Sequence, residues 1–281
     1  MAMCSHSVPK EMPNSLTHNG GLPPELAQRI QKEAEENDHI YRRRPDGSME
    51  LSRLHYGHVN LLRWAFAQMG SLSGARVLDV GVGEGQSSVL MAQQGAQVTG
   101  IEVSAAALDR AAGLAARSGV QVDFRQMPGE DLQFPDASFD AILCISAYHH
   151  MDQGRAASEF ARVLRPGGRV VLIEPLASNP PAWLYRRVGR LLSREATSEE
   201  TPLRVRDVEV LRRHFSKVRW QGIYLMCVGL FGLDRLSNNT NQVVYACTKR
   251  AFPLVWGIDE ILLRIPGLQR IAWKLAVVAE R

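Results

Sequence analysis

Val77-Leu-Asp-Val-Gly-Val-Gly-Glu-Gly85 is the stretch on which the reading of the fold depends. It completes Ala75-Arg-Val-Leu-Asp-Val80, a short apolar run of strand type, and leads into residues 86–94, which read as helix. Gly81, Gly83 and Gly85 let the backbone turn tightly and let a ligand approach it closely. The spacing is GxGxG. A dinucleotide fingerprint places its third glycine one position later, where this chain has Gln86. Such a turn alone also suits a strand-to-helix junction that merely packs. Glu102 strengthens the ligand reading, because it closes a second strand over Gln97–Glu102. That is where an acid in a nucleoside-binding sheet accepts hydrogen bonds from ribose hydroxyls. The alternative is a solvated acid at a strand end.

Outward from this turn, strand and helix alternate without a hairpin signal. Ser104–Arg117 is alanine-rich helix with Ser104 as N-cap, and Val120–Phe124 is a third strand. Phe139–Ile145 is a fourth strand and Arg155–Leu164 a helix stopped by Pro166-Gly167-Gly168. Arg169–Glu174 is a fifth strand, with a helix over 204–214 and a strand near Lys217–Gln221 beyond it. This alternation predicts right-handed crossovers and a parallel sheet with helices on both faces. Upstream, helices are expected from Pro23-Pro24-Glu25 to about Tyr41 and from Leu51 to Met69, the second ended by Gly70.

The 281 residues are 45% hydrophobic and 22% charged, the balance of a globular protein with a sizeable core. Cys4, Cys144, Cys227 and Cys247 form no CxxC pair, which argues against a disulfide scaffold or structural zinc and suits a reducing compartment. The polar first twenty-odd residues lack the apolar core of a secretory signal, and no run reaches membrane-spanning length, so a soluble cytoplasmic protein is expected. The net charge of +4 is uneven. Residues 1–181 carry 16 Lys and Arg against 20 Asp and Glu, and residues 182–281 carry 17 against 9. A basic C-terminal third suits nucleic acid, anionic lipid or a phosphorylated substrate, or is simply a solvated surface.

Four segments in order carry a resemblance: Val77–Gly85, Gly100-Ile-Glu-Val-Ser104, Glu130-Asp-Leu-Gln-Phe-Pro-Asp-Ala-Ser-Phe-Asp140 and Leu164-Arg-Pro-Gly-Gly-Arg-Val-Val-Leu-Ile-Glu-Pro175. Together, over roughly residues 55–220, they resemble a class I S-adenosylmethionine-dependent methyltransferase of the small-molecule, type 11 kind. The resemblance implies a Rossmann-like α/β fold, a seven-stranded, mostly parallel sheet whose last strand, Trp273–Glu280, is antiparallel. It implies S-adenosylmethionine as cofactor, contacted by Asp79, Gly81, Gly83, Gly85, Glu102, Val103, Gly129, Glu130 and Ile145. The glycine turn would meet the methionine moiety, Glu102 the ribose diol, Val103 the adenine, and the Gly129-Glu130-Asp131 loop the adenine amine. Many relatives have Asp-Ala-Glu in that loop; here it is Pro128-Gly129-Glu130, so the adenine contact falls to Glu130 or to backbone. The organisation expected is a disordered tail over 1–21, a helical cap over 22–70, the cofactor core over 71–221, an apolar helical lid over 222–270 and the final strand over 271–281.

Methyl transfer from a sulfonium mainly requires alignment and exclusion of water, with a base only for a protonated, weakly acidic acceptor. Ile145-Ser-Ala-Tyr-His149-His150-Met-Asp152 follows the fourth strand, beside the expected position of the methyl group, and His149 and His150 are the candidate bases. Each has the alternative of capping the next helix or bonding a carbonyl. For His55 and His58 a structural role on a partly buried polar face is favoured. The segment from Trp183 to about Arg270 is rich in apolar residues, broken by Pro253 and Pro266 into short pieces of a hinged lid. It is expected to roof a hydrophobic tunnel with arginines at its mouth, to pack as plain core, or to touch a membrane surface. The expected activity is methyl transfer to a small lipophilic acceptor, on oxygen before carbon or nitrogen, with no nucleic-acid partner because the loop reads Ser146-Ala-Tyr-His and lacks an Asn/Asp-Pro-Pro-aromatic motif. The rivals are an NAD(P)-dependent oxidoreductase and a non-catalytic nucleoside-binding relative.

Overall fold

The computed structural model describes residues 22–44, 51, 54–180, 202–236 and 242–281. The expected tail over 1–21 and the Trp183–Arg187 stretch lie outside them. Seven strands form one sheet: β1 (Arg76–Val80), β2 (Gln97–Glu102), β3 (Asp123–Gln126), β4 (Phe139–Ile145), β5 (Leu164–Pro175), β6 (Lys217–Ile223) and β7 (Lys274–Glu280). Their order is β3-β2-β1-β4-β5-β7-β6. β1 pairs in parallel with β2 and β4, β2 with β3 and β4 with β5, while β7 runs antiparallel between β5 and β6. The order reverses between β1 and β4, which opens a crevice above their carboxyl ends.

The central strands β1, β4, β5 and β7 are buried on both faces because they are apolar on both, while the edge strands β3 and β6 stay partly exposed. Leu78, Ile142 and Leu172 join the cluster holding Ala156, Phe160 and Val163 of α5 (Gln153–Val163) and Leu211 of α6 (Val208–Arg212). Val77, Leu143, Val171 and Ile173 join the cluster holding Leu62, Ala65 and Phe66 of α2 (Tyr56–Met69). Adjacent residues thus serve opposite layers, and each fully buried aliphatic side chain contributes roughly 1.5–3 kcal/mol. The helices α1 (Pro24–Arg43), α3 (Gln86–Gln93) and α4 (Ala105–Arg117) surround the carboxyl ends of β1 and β2. After β6 come α7 (Cys227–Leu236) and α8 (Gln242–Leu262). No described helix is long and apolar enough to cross a membrane.

Local differences from the sequence reading have physical causes. β3 starts at Asp123, not Val120, because the Val120 N–H closes the end of α4 on Ala115 O (3.2 Å). β5 starts at Leu164, since Pro166-Gly167-Gly168 is absorbed as an irregularity within the strand rather than ending it. The helix expected over 204–214 is a 3₁₀ turn at Val205–Asp207 followed by the short α6. Pro253 does not break the apolar segment: α8 runs through it as one helix of 21 residues. The proline sits on the exposed side, where water can hydrate the carbonyl it leaves unpaired, while Thr248, Phe252 and Asp259 anchor the buried side.

Candidate active site

The glycine turn is built as its sequence suggests. Gly81, Gly83 and Gly85 all have positive φ, at 71°, 52° and 83°. At Gly81 a Cβ would stand 2.3 Å from the Ala147 Cβ, so only glycine lets the turn after β1 meet the loop after β4. At Gly85, the left-handed N-cap of α3, a Cβ would meet Ala111 Cβ of α4 at 2.8 Å. Asp79 is buried under the turn and accepts the hydroxyls of Ser87 (2.7 Å) and Ser88 (2.5 Å), tying β1 to α3. Burial pushes its pKa up to about 6 against the pull of those hydroxyls. Glu102 accepts the N–H groups of Gly83 (3.1 Å), Val103 (2.9 Å) and Ser104 (3.3 Å); burial nevertheless raises its pKa.

These groups line a cavity of ≈ 380 Å³ together with Val103, Gly129, Glu130 and Ile145. Eight of the nine residues read as cofactor contacts therefore border one space, and the ninth, Gly85, stands behind the turn. Glu130 accepts from Arg29 (2.7 Å) and from the Asp152 N–H (3.0 Å), so it also anchors α1 and the start of α5. The opposite wall is α1, through Ile30, Glu33, Asn37 and Tyr41. Asp38 holds α1 there by accepting Ser104 Oγ (2.6 Å) and the Ala106 N–H (3.1 Å) at the N-terminus of α4. Sequence reasoning missed this wall, since its contacts are polar and distant in the chain.

The charged lining comprises Glu33, Asp79, Glu84, Glu102 and Glu130 against Arg44. Such a wall favours a cofactor of net positive charge and disfavours a dinucleotide diphosphate. Gln86, which stands where the dinucleotide fingerprint has glycine, lines the cavity, and its Nε2 is buried with no partner among the described residues. That donor suits the carboxylate of an amino-acid moiety. A sulfonium nucleoside with an amino-acid tail fits both observations.

His150 lines this cavity, with Nδ1 3.9 Å from Glu33 Oε1. His149 does not line it. Its Nδ1 lies 2.6 Å from Glu174 Oε2, and Glu174, fully buried, also accepts the N–H groups of Ala147 (3.2 Å) and Tyr148 (3.0 Å). His149 thus helps shape the loop after β4 rather than facing the crevice.

A second cavity, ≈ 410 Å³, adjoins the first, and His58, Ile145 and Ser146 border both. Its remaining wall includes His55, Tyr224, Phe231, Asp234, Trp273 and Lys274. The rings pack edge-on or tilted, Tyr224–Phe231 at 5.0 Å and Phe231–Trp273 at 5.4 Å between centroids. Asp234 accepts His55 Nε2 (2.8 Å), Tyr56 Oη (2.8 Å) and Thr248 Oγ1 (2.6 Å), joining α2, α7 and α8 beside this cavity. Burial works to raise its pKa, and those three hydrogen bonds outweigh it and hold the carboxyl below its ordinary value. Ser146 (φ 55°) and Tyr224 (φ 64°) are both in the left-handed region, strain of the kind that collects at functional sites. Among the described residues the cation in this wall is Lys274, with Nζ 2.7 Å from Ser146 Oγ; the arginines expected at the mouth from the stretch after β5 lie outside the described residues. Among the described residues, His55 and His58, read as structural, are the histidines that reach this cavity.

The family described as "Methyltransferase domain" matches residues 78–172. The ubiquinone biosynthesis O-methyltransferase of Bordetella parapertussis is 36% identical over 162 residues, covering 56% of this chain and 67% of that protein. Its counterpart in Pseudomonas aeruginosa is 37% identical over 149 residues, 51% of this chain and 62% of that protein. Among solved structures, geranyl diphosphate C-methyltransferase from Streptomyces coelicolor A3(2), in complex with Mg2+, geranyl diphosphate and S-adenosyl-L-homocysteine, superposes with a TM-score of 0.61 at 14% identity, covering 93% of this chain and 100% of that one. The cyclase SpnF also gives 0.61, at 22% identity over 90% and 96% of the two chains. A methyltransferase and a cyclase on one scaffold show that the likeness carries the fold and not the reaction. The sequence relatives carry the family, and with it the cofactor is S-adenosylmethionine and the oxidoreductase and non-catalytic readings fall. This chain belongs to the class I S-adenosylmethionine-dependent methyltransferases.

Proposed function

We propose that the protein methylates a hydroxyl oxygen of a small, largely apolar acceptor carrying an aromatic ring. The observation that supports this most is the junction of the two cavities at His58, Ile145 and Ser146: one is acidic and suited to the cationic cofactor, the other is walled by Tyr224, Phe231 and Trp273. An aromatic ring buried among these side chains is stabilised by about 25 cal/mol per Å² removed from water. The sequence relatives are O-methyltransferases by name, which agrees with oxygen as the nucleophile.

The cofactor supplies a methyl group already activated on a sulfonium. The chain's own residues bind, align and exclude water. Glu102 is proposed to hold the ribose diol, Val103 to lie against adenine, Glu130 and the Gly129 backbone to border the base, and Gln86 to donate to the amino-acid carboxylate. Helix α1 would cover the cofactor through Ile30 and Tyr41, which wall its cavity, while Phe231 and the Asp234 junction would close the acceptor side. Exposed Val243, Leu254 and Ile261 on α8, with Lys249 and Arg250 on the same helix, support reception of the acceptor at an anionic membrane surface. The test is mass spectrometry of alkylphenols, alkylcatechols and matched anilines incubated with deuteromethyl-labelled cofactor. Labelled methyl ethers are expected; label on nitrogen or ring carbon alone would overturn the choice of oxygen.

A further inference from the structure

We propose that His58, from the first turn of α2, is the catalytic base that takes the proton from the acceptor hydroxyl, and that Lys274 keeps it ready by holding positive charge in the same cavity wall. This deepens the O-methylation reading and rests on it. Among the histidines of the described residues, His58 alone borders both cavities. His149 is engaged by Glu174, His55 by Asp234, and His150 lies on the cofactor side near Glu33. A base must stand where the acceptor oxygen meets the methyl group, and the junction of the cavities is that place.

The electrostatic setting agrees with the geometry. Desolvation lowers the His58 pKa below 6.5, and the charges of Lys274 and His55 lower it further. The groups around it are His55 at the N-cap of its own helix, Lys274 on β7 and Asp234 on α7, the last bonded to His55. Across the cofactor cavity stand Glu33 and His150. A neutral imidazole at neutral pH is a proton acceptor. Lys274, donating to Ser146 Oγ at 2.7 Å, also favours the negative charge that develops on the acceptor oxygen. The O–H pair of the acceptor becomes the new O–CH₃ bond, the C–S pair leaves with sulfur, and the proton passes to His58 and then to water. The positive charge of the sulfonium is thereby released as one proton.

Titration and kinetics together test the assignment. Histidine ring resonances of the cofactor-free protein, assigned with H58N, should show His58 titrating below 6.5, and K274M should move that titration to higher pH. With a 4-alkylcatechol as probe, H58N should lose about 10²–10⁴-fold in kcat, while calorimetry finds cofactor affinity nearly unchanged. The acidic limb of the wild-type kcat/KM profile should vanish in H58N and shift upward in K274M, and imidazole should partly restore H58A. A His58 that titrates at or above 6.5, or an acidic limb that persists in H58N, overturns the assignment. Wild-type transfer of methyl to nitrogen or carbon instead of oxygen overturns the underlying reading as well, so the two failures are distinguishable.

Discussion

Glu33 offers a sharp test of how α1 sits on the cofactor cavity. Its pKa is raised to about 7 from 4.5, first by burial, then by Glu130 and Glu102, with Arg29 pulling the other way and Glu36 adding a smaller push. At roughly 1.4 kcal/mol per unit, ionising Glu33 in the folded, cofactor-free protein costs about 3 kcal/mol. Water reaching a side chain that is 28% exposed brings the expected effect to about 2 kcal/mol. The direction follows from linkage. Between 4.5 and about 7 the folded state holds a proton that the unfolded state has lost, so this group's contribution to stability falls as pH rises through that window. Glu33→Gln removes the ionisation. Urea unfolding without cofactor should find variant and wild type equal at pH 4, diverging above it, with the variant about 2 kcal/mol more stable at pH 8.5. The positive cofactor offsets the cost in the wild type, so the same variant should bind S-adenosylmethionine less well relative to its neutral-sulfur product. Parallel stability curves across the whole range would refute the packing of Glu33, on α1, against the acidic cofactor cavity.

Glu102→Ala should lose on the order of 1.5–3 kcal/mol of cofactor binding by calorimetry, since charge-assisted bonds to a diol disappear; unchanged affinity would remove Glu102 from the site. Gly81→Ala should unfold at markedly lower urea, because a Cβ there meets Ala147 at 2.3 Å on a backbone with φ 71°, a combination on the order of 1–3 kcal/mol or more. His149→Ala should cost about 1–3 kcal/mol of stability by removing the hydrogen-bond partner of the buried Glu174 Oε2, whereas His150→Ala should change stability little. Equal stabilities for those two variants would contradict the division of roles between the paired histidines.

What could be read from the sequence was local. The Gly81–Gly85 turn, the Ser104 cap and the strand-end Glu102 each announce themselves within a few residues, because φ > 0, a side-chain cap and a strand terminus are short-range requirements. The antiparallel β7 came from family resemblance, since an apolar run such as Leu275–Ala279 has no signature of direction. The adjacent His149 and His150 drew attention to the loop after β4, yet the Glu174 that engages His149 lies 25 residues away and leaves no local pattern. His58 looked like a residue on a helix face because nothing near it in sequence reveals that Ser146 and Lys274 stand opposite. The continuity of α8 through Pro253 was likewise hidden: whether a proline breaks a helix depends on what anchors the turns on either side.

The central claim, a cofactor cavity and an acceptor cavity meeting at His58, is tested most directly by a crystal structure with S-adenosylhomocysteine and a 4-alkylcatechol. The predicted result has the ribose diol on Glu102, the ring among Tyr224, Phe231 and Trp273, and a catechol oxygen within hydrogen-bond reach of His58. A catechol seated on the His150 and Glu33 side, with the aromatic cavity left to solvent, would contradict it.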